Sequence, residues 1–299
     1  MRPIAKLPLA SLAPLGALLL AGCATDFTPA SVVEDLRVLA IVAEPPDVLL
    51  PATFPGPTET VTLRATAVAP PASPGGAPAT PSTVSWSFCP FSIGASTGYA
   101  CAVPACETPL TPAADGSVTI DPVLLGAACL ASSGGALPGA PAGSGLPAGF
   151  EVLVRYVATL DGLRREAVQR IPVLAATATS RNLNPVISST TSGADCALAA
   201  GPCSVGAIPI DVAIDLGSFQ PYTVGDRTAE ETIVVSFFTT AGRFKDPTGQ
   251  ATPAAPATSA LLEAKELGGA TQALVWVVAR DLRGGEAVVG PLTVVFSRP

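Results

Sequence analysis

The sequence predicts an all-β protein made of two similar antiparallel β-sandwich modules in tandem, the first carrying a cysteine-rich insertion with a short helix. Composition is the first observation, because 32 prolines and 28 glycines with only 13% charged residues favour short strands and many turns. The second is that several segments alternate apolar and polar residues, which is the period of a half-buried strand. The third is that a hairpin pattern in the middle of the chain recurs near its C-terminus.

Residues 1–22 predict a signal peptide. Arg2 and Lys6 form a short positive head, and the apolar run from Leu7 to Leu20 contains Pro8 and Pro14. This run is too short and too interrupted by proline for a helix that spans a membrane.

Cys23 follows the apolar run directly, and Leu20-Ala21-Gly22-Cys23 resembles the lipobox of bacterial lipoproteins. The resemblance implies cleavage before Cys23, a diacylglyceryl group on its thiol and a fatty acyl chain such as palmitate on its new amino group. Each buried methylene contributes about 0.8 kcal/mol, so three chains would hold the protein to a membrane permanently. The alternative is an ordinary signal peptide that happens to contain a cysteine.

Ala24 follows Cys23 where, in Gram-negative sorting, an Asp would favour retention at the inner membrane. We therefore expect a lipid-anchored protein of the cell envelope, at the outer membrane. The sequence leaves open whether the body faces the periplasm or the outside.

The first module is expected at residues 36–174, behind a lipidated tether at 23–35. Its insertion spans 89–149, where Asp121 can cap, and Pro122 begin, a helix from Val123 to Ala131. Low-complexity stretches at 70–82 and 132–149 predict loops. Strands are predicted at 36–43, 60–67, 83–88, 150–158 and 165–174.

The second module is expected at residues 185–299, after a linker at 175–184, and residues 247–260 again have loop composition. Its strands are predicted at 185–190, 207–216, 232–239, 273–279 and 286–296. A shift of 120 residues places Tyr156 on Trp276, Asp161 on Asp281 and Glu166-Ala167-Val168 on Glu286-Ala287-Val288. This register predicts that one module arose by duplication of the other.

Three segments resemble predicted bacterial lipoproteins with tandem immunoglobulin-like or cadherin-like sandwiches. They are Leu36-Arg37-Val38-Leu39-Ala40-Ile41 with Glu44-Pro45-Pro46, then Val84-Ser85-Trp86, and Val275-Trp276-Val277-Val278-Ala279-Arg280-Asp281. The resemblance implies two tandem immunoglobulin-like sandwiches and no defined activity. Trp86 and Trp276 are mid-strand on the apolar register, so we expect both in the core.

Six cysteines remain besides Cys23, and an even number in an oxidising compartment predicts three disulfides. Cys196 and Cys203 are close in sequence and far from the rest, so we expect them to pair. Cys89, Cys101, Cys106 and Cys129 allow three connectivities. The shorter loops favour Cys89 with Cys101 and Cys106 with Cys129, but the sequence leaves this open.

The chain has no histidine, which excludes Ser-His-Asp and Cys-His catalysis and most zinc sites. Gly94-Ala95-Ser96-Thr97-Gly98 matches the nucleophile-elbow pattern but lacks a histidine partner and a strand-turn-helix setting. We expect no catalytic residues, no metal and no cofactor.

Two acidic groups are compatible with Ca²⁺ binding, although a helix cap and a solvated strand face explain them equally. The first group is Asp115, Ser117, Thr119 and Asp121, and the second is Asp211, Asp215, Asp226, Glu230 and Glu231.

The expected function is that of a non-catalytic, membrane-anchored cell-envelope lipoprotein, structural or partner-binding. The alternatives are a carbohydrate-binding or surface-adhesion lipoprotein and then a carboxylate-dependent hydrolase. A net charge of −7 and 5% aromatic residues argue against nucleic acid. Besides the membrane, we expect a protein or glycan partner at the loops between Cys89 and Cys129, with Tyr99 as their exposed aromatic residue.

Overall fold

The structure is a computed structural model that describes residues 29–53, 55–73, 75–134, 149–192, 206–224, 227–264, 267 and 270–296. The expected signal peptide, Cys23, Cys196, Cys203 and Asp226 lie outside these residues. Within them, no helix has the length and hydropathy that crossing a membrane requires.

The first sandwich consists of a three-stranded sheet in the order β1-β3-β6 and a five-stranded sheet in the order β2-β8-β7-β4-β5. All neighbouring strands are antiparallel except β2 and β8, which are parallel. The strands are β1 (Arg37–Glu44), β2 (Val48–Leu49), β3 (Val61–Val68), β4 (Thr83–Cys89), β5 (Thr108–Leu110), β6 (Val118–Ile120), β7 (Phe150–Leu160) and β8 (Leu163–Leu174).

The second sandwich pairs a sheet in the order β14-β16-β10-β9 with a sheet in the order β15-β13-β17-β18, and β11 and β12 form a separate hairpin. The strands are β9 (Ile187–Ser192), β10 (Ala207–Ile214), β11 (Tyr222–Val224), β12 (Arg227–Ala229), β13 (Ile233–Thr239), β14 (Arg243–Phe244), β15 (Thr248–Ala251), β16 (Ala257–Glu263), β17 (Gln272–Arg280) and β18 (Glu286–Val295).

Strand order identifies both sandwiches as immunoglobulin-like. In each, the first long strand pairs with the second, and the closing hairpin lies beside the third strand in the opposite sheet. In the first module, β2 also crosses to the opposite sheet and runs parallel to the last strand. Two sheets connected in this way form the immunoglobulin-like sandwich. The fold class predicted from the sequence is therefore confirmed.

Each sandwich has its own core, which is formed by the inward-facing residues that alternate with outward-facing ones along its strands. Residues of β10 and β13 point alternately into the second core, and Phe237 packs there 5.5 Å from Phe244. In the first core, Trp86 is 2% exposed and its ring lies 4.6 Å from that of Tyr156, whose pKa burial raises. Trp86 is thus a core residue, as predicted.

The region from Cys89 to Gly149 contains the predicted helix, α1 (Pro122–Ser132). Asp121 caps it, because its side chain accepts a hydrogen bond of 2.9 Å from the backbone N–H of Leu124. The same region also supplies β5 and β6, which extend the two sheets of the first sandwich and which the sequence did not predict.

The expected loop at 247–260 is wrong, since β15 and most of β16 lie there. β16 is an inner strand that pairs with β10 along its whole length. Its sequence, Ala-Thr-Ser-Ala-Leu-Leu-Glu, has small residues where a strand normally carries β-branched ones, so it matches loop composition. Packing between β10 and β14 makes it a strand.

The gapless register between the two hairpins is also wrong. Tyr156 points into the first core, but Trp276 points away from the second core, which Val275 and Val277 face instead. A displacement by one residue moves a side chain to the other face of a sheet. The two hairpins therefore share a fold, but not the residue-by-residue correspondence that the sequence suggested.

Trp276 belongs to a third apolar cluster, in which the two sandwiches pack side by side. Leu39, Ala40 and Val68 of the first sandwich meet Leu274, Trp276 and Val278 of the second, together with Val33. Trp276 is 1% exposed. The ring is buried as predicted, but between modules rather than inside one.

Candidate functional site

The cysteine-rich segment is fastened to the first sandwich by two disulfides. Cys89 is bonded to Cys101 and Cys106 to Cys129, with Cα atoms 5.6 and 5.4 Å apart. This is the connectivity that the shorter loops favoured. The first disulfide covers Leu153 on the outer face of β7, and the second joins a 3₁₀ turn (Pro104–Cys106) to α1.

Arg155 holds the first disulfide loop against the sheet. It donates a hydrogen bond of 3.1 Å to the backbone oxygen of Tyr99 and forms ion pairs with Glu166 and Glu107. Tyr99 packs against the disulfide and is only partly exposed, contrary to the expectation that it is the exposed aromatic residue. Ile93 of the same loop is 57% exposed and Leu124 of α1 is 50% exposed.

The residues that match the nucleophile elbow form no catalytic setting. Ser96 lies in a 3₁₀ turn (Ala95–Thr97) between Gly94 and Gly98, both with positive φ. An elbow needs a strand before the serine and a helix after it, and this turn has neither.

The acidic residues considered for calcium are dispersed over separate structural roles. Asp115 accepts hydrogen bonds from the hydroxyl and N–H of Ser117 and pairs with Arg64 at 3.6 Å, and the Ser117 contacts and Arg64 lower its pKa. Asp121 caps α1, and Asp215 caps a 3₁₀ turn (Leu216–Ser218). Across the part of the chain that the structure describes, no three acidic or cysteine side chains are grouped to hold a metal ion.

A polar network that the sequence did not predict surrounds the linker between the modules. Asp47 of the first module is 2% exposed and accepts bonds of 2.7 Å from Arg181 Nε and from the Asn182 N–H. Asn182 in turn donates a 2.7 Å bond to Asp281 of the second module. One asparagine thus joins a buried carboxylate on each side.

Arg181 supplies the positive charge of this network. It contacts Asp47 at 2.7 Å and Glu59 at 3.0 Å. Partial burial by itself disfavours the charged guanidinium, but the hydrogen bonds to Asp47 and Glu59 outweigh it, so the pKa of Arg181 is raised. The only sequence feature that marks this network is the Arg-Asn-Leu-Asn run within a linker of small residues.

A second set of hydrogen bonds joins the unpaired edge of β1 to the linker and the second module. Asn184 donates to the oxygen of Ala43 at 2.7 Å and accepts from the N–H of Glu286 at 3.0 Å. Glu286 accepts from the N–H of Ile41 at 3.0 Å, and Arg280 donates to the oxygen of Leu39. An edge strand with unpaired backbone groups invites pairing with another chain, and here side chains of the second module occupy those groups.

Glu231 is a buried carboxylate inside the second module, 1% exposed. It accepts a 3.0 Å bond from the N–H of Gln220 and pairs with Arg283 at 3.2 Å. Burial raises its pKa, and the neighbouring charge of Asp281 adds to the rise. Arg283 also lies over the ring of Tyr222, 5.0 Å from its centre.

The molecule has two distinct ends. At one end, residues before β1 bond to Thr239 of the second module, with Val33 N–H to Thr239 O at 2.7 Å, and Phe296 bonds to Thr271. At the other end lie the linker network and the disulfide-held segment, where Phe91 packs 5.6 Å from Phe150. β7, with 11 residues, runs between the ends and is about 35 Å long.

Comparison with known proteins shows no family, and it shows similarity to solved structures. No protein-family model and no curated protein matches the chain. The chain is similar to the D0-D1 domain of intimin. Identity is 14%, the match covers 87% of this chain and 99% of that chain, and the TM-score is 0.23. At that TM-score the likeness carries no argument, so the fold assignment rests on strand order.

Proposed function

We propose that this protein is a non-catalytic, membrane-anchored lipoprotein of the cell envelope that presents its disulfide-held segment to a protein partner. The observation that carries the proposal is the placement of the two ends. The N-terminal segment that would bear the lipid leaves beside Thr239, and the disulfide-held segment lies at the opposite end. Anchoring through Cys23 would direct that segment away from the membrane.

The roles of the buried charges support a non-catalytic function. Asp47 and Asp281 hold the linker, and Glu231 holds Arg283 and the Gln220 backbone. Catalytic carboxylates need an open approach to a substrate, whereas these three are between 1% and 3% exposed. These contacts support a structural role for the three carboxylates rather than hydrolysis.

The placement of aromatic rings favours a protein partner over a glycan. Trp86, Trp276 and Tyr156 are buried, and Tyr99 packs on the disulfide. Aromatic faces open to solvent are the usual platform for sugars, and these rings do not offer one. Ile93 and Leu124 instead expose aliphatic side chains on the disulfide-held segment, where an apolar surface of a partner could contact them.

Replacing the anchor residue tests the membrane half of the proposal. Cys23→Ser is expected to move the protein from the membrane fraction to the soluble fraction, because it removes the thiol that lipid would occupy. Cys196→Ser is the matched control and should leave the protein with the membrane. Retention of Cys23→Ser in the membrane fraction would contradict the anchor.

Replacing one exposed residue at each end tests the partner-binding half. In cells with a chemical cross-linker, Ile93→Asp should abolish the cross-linked adduct of the anchored protein, because a charge disrupts apolar contact. Leu163→Asp is the control, since Leu163 is 42% exposed at the turn near the tether. An adduct that is insensitive to Ile93→Asp would argue against the disulfide-held segment.

A further inference from the structure

A groove of about 400 Å³ lies between the two modules, and none of its lining residues belongs to the loop between Cys89 and Cys101. One wall is the outer side of β7 and β8, with Glu151, Arg170 and Pro172. The other wall is the turn between β17 and β18, with Leu282, Arg283 and Gly284. The groove therefore exists only because the modules are packed side by side.

Positive charge in the groove is only partly used by the protein. Arg283 gives one nitrogen to Glu231 at 3.2 Å and is 24% exposed. Arg170 is 59% exposed, and its one ion pair among the described residues is with Glu151 at 3.6 Å, itself 49% exposed. Such an exposed pair stabilises little. Each guanidinium has five N–H donors, so both retain donors for a ligand.

The other charged side chains that line the groove are occupied by structure. Arg280 binds Glu286 at 2.7 Å and the oxygen of Leu39, and Glu286 also accepts from Ile41. These contacts hold both side chains in place within the lining of the groove. Glu151 is the ion-pair partner of Arg170, so Arg170 and Arg283 are the lining cations that keep N–H donors for a ligand. Guanidinium groups bind carboxylates through paired hydrogen bonds.

Leu282 places an apolar side chain at the rim in an unfavourable backbone conformation. Its φ is +65° and it is 72% exposed. The turn is held by Asp281, which accepts from the N–H groups of Arg283 at 2.7 Å and Gly285 at 2.9 Å, and by Gln169, which donates to Gly284 O at 2.8 Å. A strained residue that its surroundings hold in place is typical of a binding region.

We propose that this groove binds an acidic polypeptide segment of a partner, with carboxylates on Arg170 and Arg283 and an apolar side chain against Leu282. The groove lies at the end away from the N-terminal segment, so its outward position rests on the proposed anchoring. Its binding chemistry does not depend on the anchor. The chain carries a net charge of −7, so an acidic probe has no general attraction to the protein and must bind locally.

Fluorescence anisotropy with the full chain in a neutral detergent tests this. The probe is a labelled peptide of alternating Leu and Glu, and the comparison peptides alternate Leu with Gln or Leu with Lys. We expect the Leu-Glu peptide to bind at least about tenfold more tightly than either, because charge-assisted hydrogen bonds are about twice as strong as neutral ones. Equal binding of the three peptides, or none, would overturn the proposal.

Variants locate the site. Arg170→Gln should lower the affinity for the Leu-Glu peptide about tenfold. Arg164→Gln is the control and should leave the affinity unchanged, because Arg164 is on the same strand and 60% exposed but lies outside the groove. Leu282→Asn should also weaken it without loss of folding, because asparagine tolerates positive φ. Equal effects of Arg164→Gln and Arg170→Gln would contradict the site.

Two further arms separate the alternatives. Displacement of the peptide by inorganic phosphate at a much lower concentration than by sulfate, an anion of similar shape and charge, would assign the groove to a phosphate ligand and overturn the proposal of a peptide ligand. Cys23→Ser should bind the peptide as tightly as the unmodified sequence, so a failure of anchoring leaves this result unchanged.

Discussion

At the scale of single residues, Trp276 shows how one side chain can belong to two modules at once. It lies on β17 of the second sandwich but contacts Leu39 and Ala40 of the first. At the bulge opposite it, Gly290 has a φ of +136°, and a Cβ there would lie 2.7 Å from the ring. The ring therefore requires both a glycine and a neighbouring module.

Trp276→Ala is expected to lower the free energy of unfolding by about 3–5 kcal/mol, the cost of removing a buried large aromatic side chain. The substitution should weaken the packing between the two modules rather than the second core, because other residues build that core. Urea unfolding of the variant and the unmodified chain measures it. An unchanged midpoint would show that the ring is not buried.

Glu231 predicts a pH dependence of stability. Burial raises its pKa in the folded protein above the ordinary value of 4.5, so the folded state binds its proton more tightly than the unfolded state. The corresponding stability is fully present below pH 4.5 and is lost as the pH rises through the raised pKa. Relative to Glu231→Gln, the unmodified chain should thus become less stable as the pH rises above 4.5, measured by denaturant unfolding. A constant difference across this range would contradict the assignment.

At the scale of elements, the linker works as a fastening rather than as a spacer. Asn182 joins Asp47 to Asp281, and Asn184 joins β1 to Glu286. Small-residue linkers are commonly flexible. In this linker, the hydrogen bonds of Asn182 and Asn184 hold residues 181–184 between the modules.

Asn182→Ala should destabilise the protein by about 1–3 kcal/mol, because it leaves a buried oxygen of Asp281 without its donor. Leu183→Ala is the control within the same linker and should change the stability by less than about 0.5 kcal/mol, since Leu183 is 53% exposed. Thermal unfolding compares the two. Equal effects would mean that the amide contact does not fasten the modules.

The strands and the helix differ in how far their own local sequence predicts them. Long strands such as β3 and β10 alternate clearly, and α1 has its own cap, so local chemistry predicts them. β5 (Thr-Pro-Leu) and β16 (Ala-Thr-Ser-Ala-Leu-Leu-Glu) lack a distinct apolar-polar period, and only pairing with neighbours makes them strands. The linker network joins residues more than 90 positions apart, which no local pattern reveals.

At the scale of the whole molecule, tandem sandwiches are often placed end to end, but these two stand side by side. The N-terminal segment, the first strand and the linker all contact the second module. This arrangement separates the tether end from the end with the disulfides and the groove. It also buries the edge of β1 and the outer face around Trp276, which separate modules would expose.

Small-angle X-ray scattering of a chain beginning at residue 29 tests side-by-side packing directly. A compact chain of this length should have a radius of gyration of about 19 Å, whereas two such modules placed end to end would give about 25 Å. The structure predicts the smaller value. A radius near the larger value would contradict the contact between modules, the groove it forms and the separation of the two ends.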